Sequence, residues 1–458
     1  MFELSTAAAA IGAERRAADV RVLRVTTDSR DVRPGDLFVA LKGPRFDANS
    51  FVDQALADGA VAAIVSNPDL VRTADAPMLL AQDTRLALGK LAAWWRGRFD
   101  IPLVAVTGSN GKTTVKEMIA AVLRAHCDAQ HLLATSGNLN NDIGMPLTLL
   151  QLSAQHRYAV IEMGMNHLGE IAYLSRLARP TVALINNAGT AHIGEVGSVE
   201  GIARAKGEIF EGMDPQGTAI VNGDDAFADY WRDQAKGRRV VDFGLDRRAA
   251  VSARYELSES GSLITLRTPG DEYVVRLQMP GLHNIRNALA AATACTVLRV
   301  PPRAIAEGLS AFTGVKGRMQ RLQLPGGATL IDDTYNANPE AMKAALAVLG
   351  ASAGRKLFVV GDMGELGAGE NDMHAEVGAF ARRAGIDRVF ALGRAVEATV
   401  RAFGDGAKRY QDLDGLLADL RAALGDDTTI LVKGSRFMKM ERVVEALAGR
   451  VANSHGGH

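Results

Sequence analysis

An apolar run at 101–106 (Ile-Pro-Leu-Val-Ala-Val) passes directly into Thr107-Gly108-Ser109-Asn110-Gly111-Lys112-Thr113. Apolar residues then recur at helical spacing, at Val115, Met118, Ile119, Val122 and Leu123. The run reads as a buried strand, the glycine-bearing segment as a tight turn, and the remainder as an amphipathic helix. This order makes a phosphate-binding architecture. Glycines let backbone amides approach phosphate oxygens, the helix N-terminus adds partial positive charge, Lys112 adds a full charge, and the Thr113 hydroxyl can ligate magnesium. Only two residues separate Gly108 from Gly111, which is shorter than the general G-x-x-x-x-G-K-[ST] loop. An ordinary strand-to-helix turn is the alternative, but a chance Gly-Lys-Thr would lack the flanking strand and helix. ATP or GTP is the expected ligand.

A chain of 458 residues is too long for one ordinary core, so two to four domains are expected. Lys plus Arg and Asp plus Glu both number 52, so no global positive field exists to hold nucleic acid or an anionic membrane, and small-molecule partners are expected. The N-terminus has neither a basic start nor a long apolar segment, and no later run reaches membrane-spanning length; the expectation is a cytoplasmic protein without membrane insertion, and a monomer. Cys127 and Cys295 lack metal-ligand spacing, which argues against structural zinc and suits a reducing compartment, with both expected as buried thiols.

The fold class read from the pattern is α/β in three domains. In a small N-terminal α/β domain, 1–85, a helix at 51–59 precedes a strand at 60–65. A central P-loop ATPase-like domain, 86–313, has strand candidates at 101–106, 158–161, 181–185 and 218–221 alternating with helical patterns, the signature of a mostly parallel sheet. Its stretch 251–279 alternates in short, turn-broken segments and reads as added antiparallel strands. A C-terminal Rossmann-like domain, 314–458, has strands near 328–331, 357–360, 388–391 and 429–432, and helices near 339–349, 374–384 and 436–447. The tail 454–458 carries no readable signal.

Open parallel sheets bind ligands beyond the carboxyl ends of their strands. Glu162 ends one strand candidate, where its carboxylate can ligate magnesium or act only as a helix cap. His192 lies in the polar turn Asn186-Asn187-Ala188-Gly189-Thr190-Ala191-His192, where metal or phosphate contact and plain turn chemistry are both open. Lys206 sits on the apolar face formed by Val199, Ile202, Ile209, Phe210 and Met213. Either its stem snorkels to solvent, or burial lowers the amine pKa enough for reaction with carbon dioxide to a metal-binding carbamate. The run 281–288 precedes an alanine-rich helix expected at 288–298 and serves either as a cap or as a nucleobase contact. Asp332-Asp333-Thr334-Tyr335-Asn336-Ala337-Asn338, Gly361–Gly367 and Lys433-Gly434-Ser435-Arg436 put acidic and basic groups on one edge of the last sheet, suited to a small zwitterion.

The shortened loop Gly108–Thr114 resembles the variant shared by Mur ligases and folylpolyglutamate synthases. Three further segments, Gly137-Asn138-Leu139-Asn140-Asn141-Asp142-Ile143-Gly144-Met145-Pro146, Tyr335-Asn336-Ala337-Asn338-Pro339 and Gly361-Asp362-Met363-Gly364-Glu365-Leu366-Gly367, are similar to the branch of the Mur ligase family that adds D-alanyl-D-alanine. The similarity runs from Asp28-Ser29-Arg30 to Arg436, nearly the whole chain. It implies ATP- and Mg2+-dependent amide formation through an acyl phosphate, joining D-alanyl-D-alanine to UDP-N-acetylmuramoyl-tripeptide in cytoplasmic peptidoglycan synthesis. It further implies that Ser29 and Arg30 in the first domain, with Asn138, Asn140 and Asn141, hold the UDP substrate, and that Asn336 and Asn338 meet substrate in the last domain. By the same resemblance Thr107–Thr113 bind the nucleotide phosphates, Asn284 contacts adenine, and Arg318 and Asp333 meet ATP. Thr113, Glu162, His192 and a carbamylated Lys206 form the metal site, and Lys112, Glu162, His192 and Lys206 are the catalytic residues. A folylpolyglutamate synthase-like ligase and a non-ligating nucleotide-driven switch are the competing readings.

Overall fold

The computed structural model describes residues 1–44, 46–191 and 193–449. His192 and the tail 454–458 lie outside the described residues.

Four-residue apolar strands with no polar interruption are best buried on both faces, and the chain supplies several of them. Arg24–Thr26, Asp36–Val39, Ala62–Val65 and Met78–Leu80 pair in parallel, and Glu14–Arg16 closes the edge antiparallel to Met78–Leu80. Helix Thr84–Arg96 begins on the Asp83 cap, whose carboxylate accepts from the amides of Arg85 and Leu86. Its Thr84 hydroxyl donates to Ala40 O (2.9 Å), and at its other end Trp95 Nε1 donates to Leu152 O (3.0 Å) and Arg96 Nε to Ala178 O (3.0 Å). The helix therefore ties the first sheet to the second, and one hydrophobic core runs from Phe2, Leu4 and Leu37 through Trp95 to Met145 and Ile171.

The second sheet is fully parallel, in the order Arg239–Phe243, Thr218–Asn222, Val182–Ile185, Leu103–Thr107, Tyr158–Glu162, Leu132–Ala134. The chain enters at the fourth of these strands, goes to the edge strand Leu132–Ala134, returns inward to Tyr158–Glu162, and then crosses to build outward on the other side. The carboxyl end of Leu103–Thr107 is thus the switch point where a crevice opens. Strands Ser252–Leu257, Ser262–Thr268 and Asp271–Leu277 form an antiparallel sheet of their own rather than extending the parallel one. The alanine-rich helix spans Leu282–Val297, so Asn284 and Asn287 stand within its first turns, not ahead of it. Gly281, in the left-handed region at φ 97°, allows this earlier start, because only a residue free of Cβ strain turns the chain there cheaply.

The last sheet runs Gln320–Gln323, Thr329–Asp333, Thr428–Lys433, Arg355–Gly361, Arg388–Leu392, Ala407–Tyr410, parallel except for its first strand. The two edge strands are short and largely polar, and so carry little periodic signal. Its helices Pro339–Gly350 and Glu370–Arg383 share a core with the central helices Lys112–His126 and Leu282–Val297. Cys295 is buried, whereas Cys127, at the C-terminal cap of Lys112–His126, is only partly so. Among the described residues no helix is long and apolar enough to cross a membrane.

The phosphate-loop helix is held from behind by helix Pro302–Ala311, where Gly308 meets its backbone: a Cβ at 308 would stand 2.4 Å from Val122 Cα. Gly308→Ala is expected to destabilise the protein by roughly 1–3 kcal/mol through overpacking. A lowered urea midpoint at unchanged slope measures it.

Candidate active site

The turn after strand Leu103–Thr107 cannot tolerate a side chain at Gly111. Its φ is 77°, and a Cβ would stand 2.3 Å from Asn287 Oδ1 and 2.6 Å from Asn186 Nδ2. Asparagines set the shape of the loop. Asn186 and Asn187 Nδ2 donate to Asn110 O (2.9 and 3.0 Å), Asn187 Oδ1 accepts from Asn110 N (2.8 Å), and Asn187 O accepts from Ser109 N (3.0 Å). Asn186 Nδ2 also donates to Asn287 Oδ1 (3.0 Å), and Asn287 Nδ2 reaches Asn284 Oδ1 at 3.4 Å. The first bond of the following helix runs from Val115 N to Gly111 O, so the amides of Lys112, Thr113 and Thr114 emerge at an uncapped N-terminus. Lys112 Nζ folds back onto Gly108 O (2.7 Å) and Ser109 O (3.4 Å). Burial pushes the Lys112 pKa down, Glu162 pulls it up, and Arg318 pushes it down again.

Glu162 is 2% exposed and held at both oxygens: Oε2 accepts from Thr113 Oγ1 (2.7 Å) and Oε1 from Asn140 Nδ2 (2.7 Å). Thr113 Oγ1 in turn accepts from Arg318 Nη2 at 2.8 Å, a bond spanning 205 residues of sequence. The Arg318 guanidinium lies over the Tyr335 ring, 4.1 Å from its centroid, and its buried Nε has no hydrogen-bond partner among the described residues. Asp333 is bound to Lys433 Nζ (2.5 Å), which also donates to Asn336 O (2.9 Å). Asn338 caps helix Pro339–Gly350 through Oδ1 while its Nδ2 donates to Asn110 Oδ1 (2.7 Å). Glu340 accepts from Thr190 Oγ1 (2.6 Å) and Thr190 N (3.2 Å).

Ser109–Thr113, Asn140, Glu162, Asn186, Asn187, Asn287, Arg318, Asp333, Tyr335, Asn338, Glu340 and Lys433 line a cleft of about 670 Å³ between the central and last sheets, together with Asn138, Asn141, Asn284, Asn336 and Arg436. A magnesium ion asks for hard oxygen ligands, one or two carboxylates and phosphate oxygens. The Thr113 hydroxyl beside the Glu162 carboxylate fits that demand, and the bare helix N-terminus with Lys112 fits a polyphosphate. The orphaned Nε of Arg318 is a further donor for an anion.

Three family models cover the chain: residues 21–96 match the Mur ligase family catalytic domain, 106–295 the Mur ligase middle domain, and 317–436 the Mur ligase glutamate ligase domain. The chain is 45% identical over 441 residues to the UDP-N-acetylmuramoyl-tripeptide–D-alanyl-D-alanine ligase of Escherichia coli K12, covering 95% of this chain and 96% of that one. It belongs to the Mur ligase family. MurF from Acinetobacter baumannii has a similar fold, with TM-score 0.90, 38% identity, and 97% and 98% of the two chains covered. MurF ligase from Thermotoga maritima, solved in complex with ADP, gives TM-score 0.83, 29% identity, and 93% and 97% coverage.

In this Mur ligase the cleft gathers Ser109–Thr113, Asn138, Asn140, Asn141, Glu162, Asn284, Arg318, Asp333, Asn336 and Asn338. Ser29 and Arg30 are not among its lining residues; Arg30 pairs with Asp28 (2.9 Å) on the first sheet's surface. Thr107 is buried and gives its hydroxyl to Met163 O (3.0 Å), holding strand ends together. Lys206 is 1% exposed, so its stem does not snorkel to solvent. Burial, then the Lys112 charge, holds its pKa well below the ordinary lysine value. Asn287, Thr190 and Glu340 were not singled out from sequence. Asn287 had a signal, lying three residues after Asn284 on one helical face; the Thr190–Glu340 pair had none, since 150 residues separate its members.

His283 borders the cleft, and desolvation lowers its pKa to about 4, partly opposed by Asp333. Between that value and the ordinary one near 6.5 the unfolded chain binds the proton more readily, so stability is full above about 6.5 and lost on acidification. Relative to His283→Gln, the parent should lose roughly 1–3 kcal/mol more on going from pH 7 to about 4, less than the full shift because the half-buried ring keeps some water. Urea midpoints at the two pH values measure it.

Proposed function

We propose that this Mur ligase joins D-alanyl-D-alanine to the free carboxyl end of UDP-N-acetylmuramoyl-tripeptide at the expense of ATP. The reading is carried by one observation: the phosphate loop, the Glu162 carboxylate and the Arg318–Asn338 edge of the last sheet converge on a single cleft. The 45% identity, over 95% of this chain, to the Escherichia coli ligase of that name supports the choice of substrates.

A carboxylate does not react with an amine until an oxygen becomes a leaving group. The γ-phosphoryl of ATP passes to the carboxylate oxygen, ADP leaves, the amine nitrogen attacks the carbonyl carbon of the acyl phosphate, and phosphate departs as the C–O bond breaks. In the first step an anion attacks an anion. Lys112, Arg318 and the helix N-terminus supply the opposing positive charge, prealigned in the cleft. Magnesium, held by Thr113 and Glu162 with His192, would neutralise phosphate charge. In this reading Lys206, buried, near enough to feel the Lys112 charge and depressed in pKa, is the amine that becomes a carbamate, although it is not among the residues that line the cleft. Asn284 meets adenine and Asp333 the nucleotide, while Asn336 and Asn338 face the acceptor.

The same reading assigns the UDP end to 1–85, with Ser29 and Arg30 and the Asn138–Asn141 loop; ATP to 86–313; and the dipeptide to 314–458. In the same reading the enzyme works as a monomer in the cytoplasm, where ATP and UDP-linked precursors are available. Peptidoglycan precursor supply in turn serves cell shape and division.

With ATP, Mg2+, the UDP-tripeptide and D-alanyl-D-alanine, mass spectrometry should find the UDP-pentapeptide, and ADP release should require both peptide substrates. A nucleotide-driven switch would release ADP without them, and a folylpolyglutamate-type ligase would leave the tripeptide unextended. Glu162→Gln should lower kcat roughly 10²–10³-fold in the same assay, as removal of one preorganised charge-stabilising group does.

A further inference from the structure

Helix Lys112–His126 buries a second ammonium one turn beyond Lys112. Lys116 is 1% exposed, among the largest fully buried side chains of the molecule, at a position where an apolar residue would pack at less desolvation cost. Its Nζ donates to Thr135 O (2.7 Å) and pairs with the Glu117 carboxylate. It is not among the residues that line the cleft.

Thr135 explains the expense. The ladder between Leu132–Ala134 and Tyr158–Glu162 ends with the pair Ala134–Val160, so the Thr135 carbonyl lies beyond the last strand pairing. A buried carbonyl there needs a donor from another element. Thr135 N still donates to Val160 O (3.0 Å), and Thr135 Oγ1 accepts from the backbone N of Glu162 (3.0 Å). The chain then runs from Thr135 into the loop whose Asn140 donates to Glu162 Oε1 and whose Asn140 O accepts from Gly164 N (2.9 Å). Glu162 is therefore pinned at three points: Thr113 on the phosphate-loop helix, Thr135 on its main chain, and Asn140 on its carboxylate. Two of the three hang from the segment that Lys116 fastens to the phosphate-loop helix.

We propose that Lys116 is a positioning residue. By tying Thr135 to the helix that carries Lys112 and Thr113, it fixes the distance between the Glu162 carboxylate and the Thr113 hydroxyl and sets the root of the Asn138–Asn141 loop in the same frame. Partners that orient a ligating carboxylate govern metal affinity although they never touch the ion. The inference rests on the reading of Glu162 as a magnesium carboxylate.

Calorimetric titration of the full-length chain with ADP, with and without Mg2+, tests it. The parent should bind ADP more tightly with Mg2+. Lys116→Met should lose about tenfold of that metal-dependent gain, with metal-free ADP affinity within about twofold of the parent; a merely structural lysine would lower Tm and leave the gain intact. Thr135→Val, which keeps the carbonyl but removes the hydroxyl that accepts from Glu162 N, should show the same loss in smaller measure. A folded Lys116→Met with the parental gain overturns the proposal. If Lys116→Met does not fold, a parental gain in Thr135→Val overturns it instead. A parent that binds ADP with no response to Mg2+ sinks the reading of Glu162 itself.

Discussion

The structure depends on keeping a short loop open. To grip an anion, the loop must present amides without spending them on its own carbonyls, and a seven-residue turn has few ways to do so. Here the surrounding asparagines take up the internal bonding: Asn186 and Asn187 satisfy Asn110 O and Asn110 N, and Asn287 braces Asn186. Gly111 is the point of least freedom, crowded by two of those amides and held in the left-handed region. The helix that follows is left with free N-terminal amides facing the crevice, where the sheet's order of strands also directs a ligand.

Around that loop the protein places charge in pairs and chains rather than singly. Thr113 is shared between Glu162 and Arg318, and Asp333 is neutralised by Lys433. Such arrangements cost desolvation, and the cost is offset only when each proton and lone pair finds a partner. Around the loop the exception among the described residues is the Nε of Arg318, a residue that lines the cleft and can offer this donor to an incoming anion. Arg318 precedes the first strand of the last sheet, Asn338 caps its first helix and Glu340 lies in that helix, yet each bonds the central domain. The cleft is thus completed by groups 150 to 228 residues downstream, which fits a reaction that must hold water away from an acyl phosphate.

Much of this was legible in the chain. Buried parallel strands announce themselves as unbroken apolar runs, and the helices around them as 3.6-residue patterns, so the strands at 158–161, 181–185 and 218–221 and the phosphate-loop helix appear in the sequence near their structural bounds. Edge strands such as Gln320–Gln323 and Ala407–Tyr410 do not, because one face is wet and the stretch too short for a period to register. The start of helix Leu282–Val297 was hidden by the polar His283, Asn284 and Asn287 that line its cleft-facing turns. Function masked local pattern there.

What the sequence alone determined is the local chemistry: a glycine loop between strand and helix, a lysine and threonine at its end, carboxylates at strand termini. These are set by residues within a few positions of each other, where backbone geometry leaves little choice. Only the tertiary structure decided which distant groups share a site. Arg318 meets Thr113, Asn338 meets Asn110 and Lys116 meets Thr135 because sheet order and helix packing fold those segments together, and no periodicity along the chain encodes a contact between side chains that far apart.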